Sequence, residues 1–491
     1  MAYQHGVYIT EQATSLTPPV QVDSAIQVIV GTAPVNLVED PQGAVNKPLI
    51  AYSYAEAVSK VGYSDDFENY TICQSIDASF RVFNVAPIVL INVLDPAEHN
   101  IAVTDEAHPI VNNEIEIEEE GIMLDETFSV SSEDGVTDYV KDNDYKLSFN
   151  DDGFVVLEVI EGGQIKTDGE TSLTLGFTKL DPSAVTKDDI IGGYDIATGK
   201  YKGLENVEQV FPQLSVLPGT IIAPGWSHMP SVGIAMTSKT KEINGSFSCQ
   251  AILDIDTNEV DGASVYSDAA AWKNDNSYTD KNNIVVWPKA KVGEDKTYYF
   301  SALIAPLMAF IDNQNEGVPY VSPSNKQAKI TATVLESGEE VRLDRVQGNL
   351  LNSNGIMTAI NMDGWKAWGN RTGAYPSTSD PKDAFISVRR MFDWWGNTFI
   401  RTYFQKVDDP TNLRLVDNIV DSENIRANGY QAKQQIAGAK IEFNHDENPL
   451  TDIIDGKIVF HQYLTPYPPA RSITNILEFD PYALQAVLGG E

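Results

Sequence analysis

Continuous apolar runs and amphipathic stretches alternate through residues 24–95. Ala25–Val30 closes at Gly31, and Pro87–Leu94 repeats the pattern. Both runs are short and rich in β-branched residues, which predicts strands buried on both faces. Between them, Tyr54–Val61 and Asn69–Phe83 read as helices, the second placing Ile72, Cys73, Ile76 and Phe80 on one side. Two apolar strands bracketing helices predict a shared sheet. The pattern returns over 204–400. Helices are expected at Val207–Leu214, Ser231–Thr240, Ser264–Asn274, Phe300–Asn313 and Lys382–Tyr403, and strands at Thr220–Ala223, Ser246–Ile255, Ile284–Trp287 and Ile356–Ile360.

Residues 96–203 have a period of two instead. Runs such as Phe154–Ile160 and Leu173–Phe177 sit between turn signals at Asp134-Gly135, Asp152-Gly153, Gly162-Gly163, Asp168-Gly169 and Gly192-Gly193. That spacing predicts a small all-β sandwich or barrel. Further on, Asn412–Ile425 reads as an amphipathic helix with Leu413, Val416, Val420 and Ile425 inward and Arg414, Asp417 and Asp421 outward.

The two ends behave unlike the middle. After the turn signal Asp455-Gly456, the residues Ile458, Val459, Phe460 and Tyr463 predict a strand. Pro466, Pro468 and Pro469 then impose an extended, stiff spacer, because proline fixes φ and lacks an N–H. A second strand-like run, Ser472–Phe479, contains Ile473, Ile476, Leu477 and Phe479, and Asp480-Pro481 opens a short helix with Ala483, Leu484 and Val487. A strand beyond such a spacer is badly placed to pair with its own body and well placed to join a neighbour's sheet. At the other end Val7 and Ile9 alternate with Tyr8 and Thr10, a short strand followed by a Thr/Pro-rich stretch.

The expected fold is α/β and α+β, multidomain. An extended arm (1–23) precedes an interrupted α/β core (24–95 plus 204–400). An inserted β domain (96–203) faces outward, a smaller α+β domain (401–469) follows, and a second arm (470–491) ends the chain.

Charge sharpens this division. The net charge is −36, and between Glu98 and Lys200 there are 25 acidic residues against 6 basic ones, so that fifth of the chain holds −19 of it. Such density cannot be buried, hence the outward-facing insertion. The balance also argues against nucleic acid as partner, since phosphate binding needs clustered cations. Apolar runs are too short to span a bilayer, and the start Met-Ala-Tyr-Gln-His has neither the basic start nor the apolar core of a secretion signal. Cys73 and Cys249 sit in apolar surroundings and are expected as buried free thiols.

No catalytic, cofactor or metal residue is nominated. Asp254-Ile-Asp256-Thr-Asn258 starts like a calcium loop but has Glu259 where glycine is needed and Val265 where glutamate is needed. Gly193…Gly199-Lys200 misses the phosphate-loop spacing and has Tyr201 in place of Ser or Thr. The six histidines show no metal spacing. Trp365, Trp368, Asn370 and Arg371 could form a stacking platform, but aromatics at a strand-to-loop corner more often pack inside, with the arginine tying loops together through carbonyls or a carboxylate.

Three segments carry a resemblance. The tail Gly456-Lys457…Thr465-Pro466-Tyr467-Pro468-Pro469 with its Ile-rich strand, the run Asp363-Gly364-Trp365-Lys366-Ala367-Trp368-Gly369-Asn370-Arg371-Thr372, and the start His5-Gly6-Val7-Tyr8-Ile9 resemble the contractile tail sheath proteins of long-tailed phages and phage-like bacteriocins. The likeness covers roughly 1–95 and 204–491. It implies a non-enzymatic, cofactor-free subunit made in the bacterial cytoplasm and ending in the tail of a virion or bacteriocin. Copies would form hexameric rings stacked helically around an inner tail tube protein, bounded by baseplate and tail terminator proteins, and contraction would drive the tube through a bacterial envelope. Val7, Tyr8, Ile9, Ile458, Phe460, Ile473, Ile476, Leu477 and Phe479 would pair strands between subunits. The C-terminal domain would face the tube, with Arg414, Arg426 and Lys433 as candidate contacts. Two alternatives stay open: a carbohydrate-active α/β enzyme with an acidic accessory domain, and a capsid or adhesin subunit.

Overall fold

The computed structural model describes residues 23–150 and 152–489. The expected first arm, and with it Val7, Tyr8 and Ile9, lies outside the described residues but for Asp23. The chain enters with strands β1 (Gln27–Gly31), β2 (Leu49–Ala51) and β3 (Ile88–Asn92). Six strands follow: β4 (Asn100–Pro109), β5 (Glu114–Ile117), β6 (Ser129–Ser132), β7 (Tyr145–Phe149), β8 (Val155–Val159) and β9 (Ser172–Leu180). A short hairpin, β10 (Gly193–Asp195) with β11 (Lys200–Lys202), leads back to β12 (Thr220–Ile222), β13 (Gln250–Asp254) and β14 (Asn283–Val286). Next come β15 (Lys289–Val292), β16 (Lys296–Tyr298), β17 (Ala332–Val334), β18 (Ile356–Asn361) and β19 (Trp365–Trp368), and finally β20 (Ile436–Glu442) and β21 (His461–Pro466).

Eight strands form one sheet in the order β19-β18-β14-β13-β12-β1-β3-β2. Its six inner strands are parallel, and the edges β2 and β19 are antiparallel. It therefore draws strands from both sides of the 100–202 stretch. Every residue of β1, β3, β13 and β14 is buried, which is why their central positions are apolar, with polar residues only at the strand ends. With right-handed crossovers, the helices between β1 and β3 and those between β12 and β13 cover opposite faces.

The strand order reverses between β1 and β12, and the crevice beyond their carboxyl ends is where open α/β sheets hold ligands. Here it is filled. Thr71 Oγ1 accepts from Thr32 N at 3.2 Å and from Trp226 Nε1 at 3.3 Å. A Cβ on Gly31 would come within 2.3 Å of that same oxygen. Asp254, at the end of β13, is turned inward and accepts from the Ser227 and Ser301 hydroxyls at 2.6 and 2.5 Å, a buried structural cluster rather than an open cation loop.

Residues 100–180 build two three-stranded antiparallel sheets, β4-β9-β6 and β5-β8-β7. Strands β5, β8 and β9 alternate buried with more exposed positions, and Ile115, Leu157, Leu173, Leu175 and Phe177 share a hydrophobic core separate from that of the large sheet.

Several elements depart from expectation. The helix placed at Ser264–Asn274 begins only at Ala269, and Thr71–Asp77 continues as a wider π-helical turn through Phe83. The strand expected around Ile458 and Phe460 starts later, at His461, leaving those two residues just outside the paired segment. Ser472–Phe479, expected as a strand, carries no assigned secondary structure and pairs with no strand of the described residues. Both cysteines are buried free thiols.

Candidate assembly interface

The helix Leu413–Ala432 begins at Asn412, whose side chain accepts from Leu415 N at 3.0 Å. Its inward face is only partly the one the apolar pattern predicts: Val416 is buried, Val420 half-buried, and Arg414, Asp417 and Asp421 are exposed as expected. Leu413 and Ile425 are 74% and 53% exposed, while Val416, Ile419, Glu423, Arg426 and Ala427 are buried. The reason is a buried ion pair. Arg426 donates to Glu423 Oε2 through Nε at 3.1 Å and Nη2 at 2.6 Å, and its guanidinium lies 3.8 Å from the Trp395 ring centre. Trp394, Trp395 and Tyr430 stack edge to face around it. The rotation that gives Arg426 its carboxylate and ring carries Leu413 and Ile425 outward.

This corrects the proposed tube contacts. Arg426 is inside the subunit and cannot meet a tube surface. Lys433 is exposed but bonded to Glu316, and Arg414 is exposed.

The helix packs on β20, which pairs antiparallel with β21 from Ile436↔Pro466 to Glu442↔His461. Two asparagines act as pieces of strand. Asn424 Nδ2 donates to Ile441 O and its Oδ1 accepts from Ile441 N, both at 3.1 Å. Asn448 does the same for Val459, donating to its oxygen at 2.8 Å and accepting from its N–H at 2.7 Å. Because Ile441 spends its backbone groups on Asn424, the opposite residue Gln462 must point its own away from β20, and alternation places Leu464 likewise. That outer rim of β21 carries no strand among the described residues. A two-stranded ribbon with open rims is marginal by itself and is a template for further strands.

Beyond Pro466 the chain leaves this ribbon and runs through Asp480 without helix or strand. Ile473, Ile476, Leu477 and Phe479 are 88%, 86%, 87% and 79% exposed. Each such side chain forgoes roughly 1.5–3 kcal/mol that burial would provide. The terminal helix Pro481–Leu488 is capped by Asp480, which accepts from Tyr482 N at 2.9 Å, and it too exposes Leu484, Val487 and Leu488. So many exposed apolar side chains on one short arm mark an interaction site.

The segment 363–372 lies at the root of this arm. Asp363 and Gly364, both at positive φ, turn β18 into β19, and Met362 N donates to Gly364 O at 3.1 Å. Trp365 and Trp368 are half-buried on β19; Trp368 Nε1 donates to Asn349 Oδ1 at 3.0 Å. Gly369 is required, since a Cβ there would meet Met357 Cα at 2.7 Å. Asn370 O accepts from Ile386 N at 3.0 Å, tying the segment to the long helix Ile386–Tyr403. The carbonyl or carboxylate partners expected for Arg371 from sequence are not found among the described residues. Its guanidinium is held between the rings of Tyr375 and Phe385, at 4.2 and 3.8 Å.

Among the described residues no helix is long and apolar enough to cross a membrane. No family model matches the chain. It is 26% identical to the tail sheath protein of Burkholderia phage BcepMu, over 99% of both chains. It is 30% identical to a prophage major tail sheath protein of Pseudomonas aeruginosa strain UCBPP-PA14, over 58% of this chain and 70% of that one. The fold matches the helical sheath of the anti-feeding prophage in its contracted state, with a TM-score of 0.57 at 14% identity, covering 98% of this chain and 99% of the other.

Proposed function

The chain belongs to the tail sheath protein family, and from that premise we propose that its C-terminal arm is the connector of the assembly. The protein is a structural subunit of a contractile tail sheath, a part of the particle's tail, and it assembles with copies of itself in association with a baseplate. The enzyme and the capsid or adhesin alternatives are not favoured by these relatives.

In this reading the copies form hexameric rings stacked around an inner tube and closed by a terminator, after assembly in the host cytoplasm. The large sheet and its helices (24–95 with 204–400) are the rigid body, 96–203 projects outward, 401–469 lies nearest the tube, and 470–491 reaches a neighbour. Ile473, Ile476, Leu477 and Phe479 complete a β20–β21 ribbon of another copy, and Val7, Tyr8 and Ile9 do the same from the other end. Ile458 and Phe460, just before β21, flank the receiving strand. The reading rests on one observation: an exposed apolar arm and a ribbon with open rims occur in one chain.

Main-chain ladders tolerate rotation of the bodies they join, because the Pro466–Pro469 spacer takes up the change of angle. Contraction then needs only larger contacts in the final state. About 500 Å² of added apolar contact per subunit gives on the order of 12 kcal/mol gross, before ordering costs. Summed along a tail, this moves a tube without nucleotide.

The test is truncation. A chain lacking 470–491 should fold, by circular dichroism and a cooperative melt, yet give no striated tubes in negative stain where the full chain does. Tubes formed by the truncated chain would reject the reading.

A further inference from the structure

Arg371 and Arg471 both line a groove of about 550 Å³, the second of them on the first residues of the arm. Ser324, Asn325 and Asn349 add hydroxyl and amide groups to its wall. Neither arginine has a carboxylate within ion-pair distance among the described residues, although acidic residues outnumber basic ones 70 to 34 in this chain. Arg371 Nε is buried without a partner, and the rings of Tyr375 and Phe385 fix the guanidinium in place. Burial pulls Arg371 below its usual pKa, Tyr375 opposes this, and the charge of Arg471 lowers it further, so the two cations lie close enough to repel.

We propose that this groove binds an aspartate or glutamate carboxylate of a second copy of the chain. Two forked donors lining one amide-walled space match a carboxylate, and such a guest relieves the repulsion between them. A second copy is the fitting source. The groove's outer wall is Pro469–Ser472, where the arm leaves its body, so a neighbour engaging the arm meets the groove first. On a subunit of charge −36, two arginines without a carboxylate partner among the described residues are complementary to the acidic surface of a second copy. The inference rests on the sheath reading above, and it links the arm's take-off point to a specific contact with the neighbour.

The test uses the full-length chain. Sheath is assembled from equal parts of unlabelled and ¹⁵N-labelled Arg471→Lys protein and treated with a zero-length carbodiimide. Mass spectrometry should find the amine introduced at position 471 joined to an Asp or Glu in mixed light–heavy pairs, at several-fold higher yield in tubes than in unassembled subunits. Tubes in which that amine stays uncoupled, or couples only within its own chain, would overturn the proposal and leave the sheath reading standing. If the unmodified chain forms no tubes, both fall. Independently, Arg471→Glu should raise the concentration needed for assembly about tenfold, as expected for loss of a charge-assisted contact, with an unchanged melt of the free subunit. Assembly at the unmodified concentration would count against it.

Discussion

Asn424 closes the backbone of Ile441 from the side: one amide donates to its carbonyl and accepts from its N–H, both at 3.1 Å, where a third strand would otherwise sit. A side chain thus does the work of an edge strand at one position and leaves the rest of the ribbon's rims available. Asn424→Ala should lower subunit stability by about 1–2 kcal/mol, the net value of two hydrogen bonds. Urea unfolding followed by tryptophan fluorescence would show it as a lower midpoint at unchanged slope.

The point where the first arm joins the body is held by a buried ion pair. Arg390 donates to Asp312 at 3.1 Å through Nη1 and 2.5 Å through Nη2, and to Ser24 O at 3.2 Å, while Ser24 Oγ donates to Asp312 at 2.8 Å. Both charged side chains are almost fully buried. Removing one partner strands the other charge, so Arg390→Met should cost roughly 3–5 kcal/mol, and adding Asp312→Leu should recover much of it. Thermal unfolding of the single and double variants decides this. Additive losses would contradict it.

Asp383 should give a pH signature. Burial raises its pKa, but the bonded Lys382 ammonium, with Lys281 and Arg389, outweighs that and holds the carboxyl below the usual carboxylate range. The unfolded chain then binds the extra proton. The stabilisation is present above the ordinary value, about pH 4, and is lost as pH falls through the folded value. Asp383→Asn should therefore be more destabilising at pH 7 than at pH 3, in urea titrations at low protein concentration. An equal effect at both would mean that the charge is not what matters.

The two thiols should be silent in the native state. Burial pushes Cys73 up to about 12 and Cys249 well above its ordinary value, so neither forms thiolate at neutral pH. Ellman's reagent should titrate no thiol in the folded subunit and two after denaturation.

Legibility in the sequence followed where partners come from. Tyr54–Val61 and Val207–Leu214 fall on their expected bounds because each helix buries an apolar stripe within its own body, and Ser53 caps the first by accepting from Glu56 N. β3 was legible as the apolar run Ile88–Ile91. The buried face of Leu413–Ala432 was legible only in part: Val416 is inward as expected, but an apolar pattern assigns Arg426 and Glu423 to water, whereas both are buried, with Arg426 over the Trp395 ring. Arg371 was misread similarly: its partners are ring faces, which carry no charge signal in sequence. Ser472–Phe479 has the composition of a strand but no pairing partner among the described residues of its own chain, so composition alone could not fix its structure.

The central claim is that the arm leaves its own body and becomes part of another copy's sheet. A reconstruction of the assembled sheath, traced through the main chain from Pro466 to Asp480, measures this directly. The account predicts that Ile473–Phe479 hydrogen-bonds to a β20–β21 ribbon of a different subunit. An arm turned back onto the ribbon of its own subunit would contradict it.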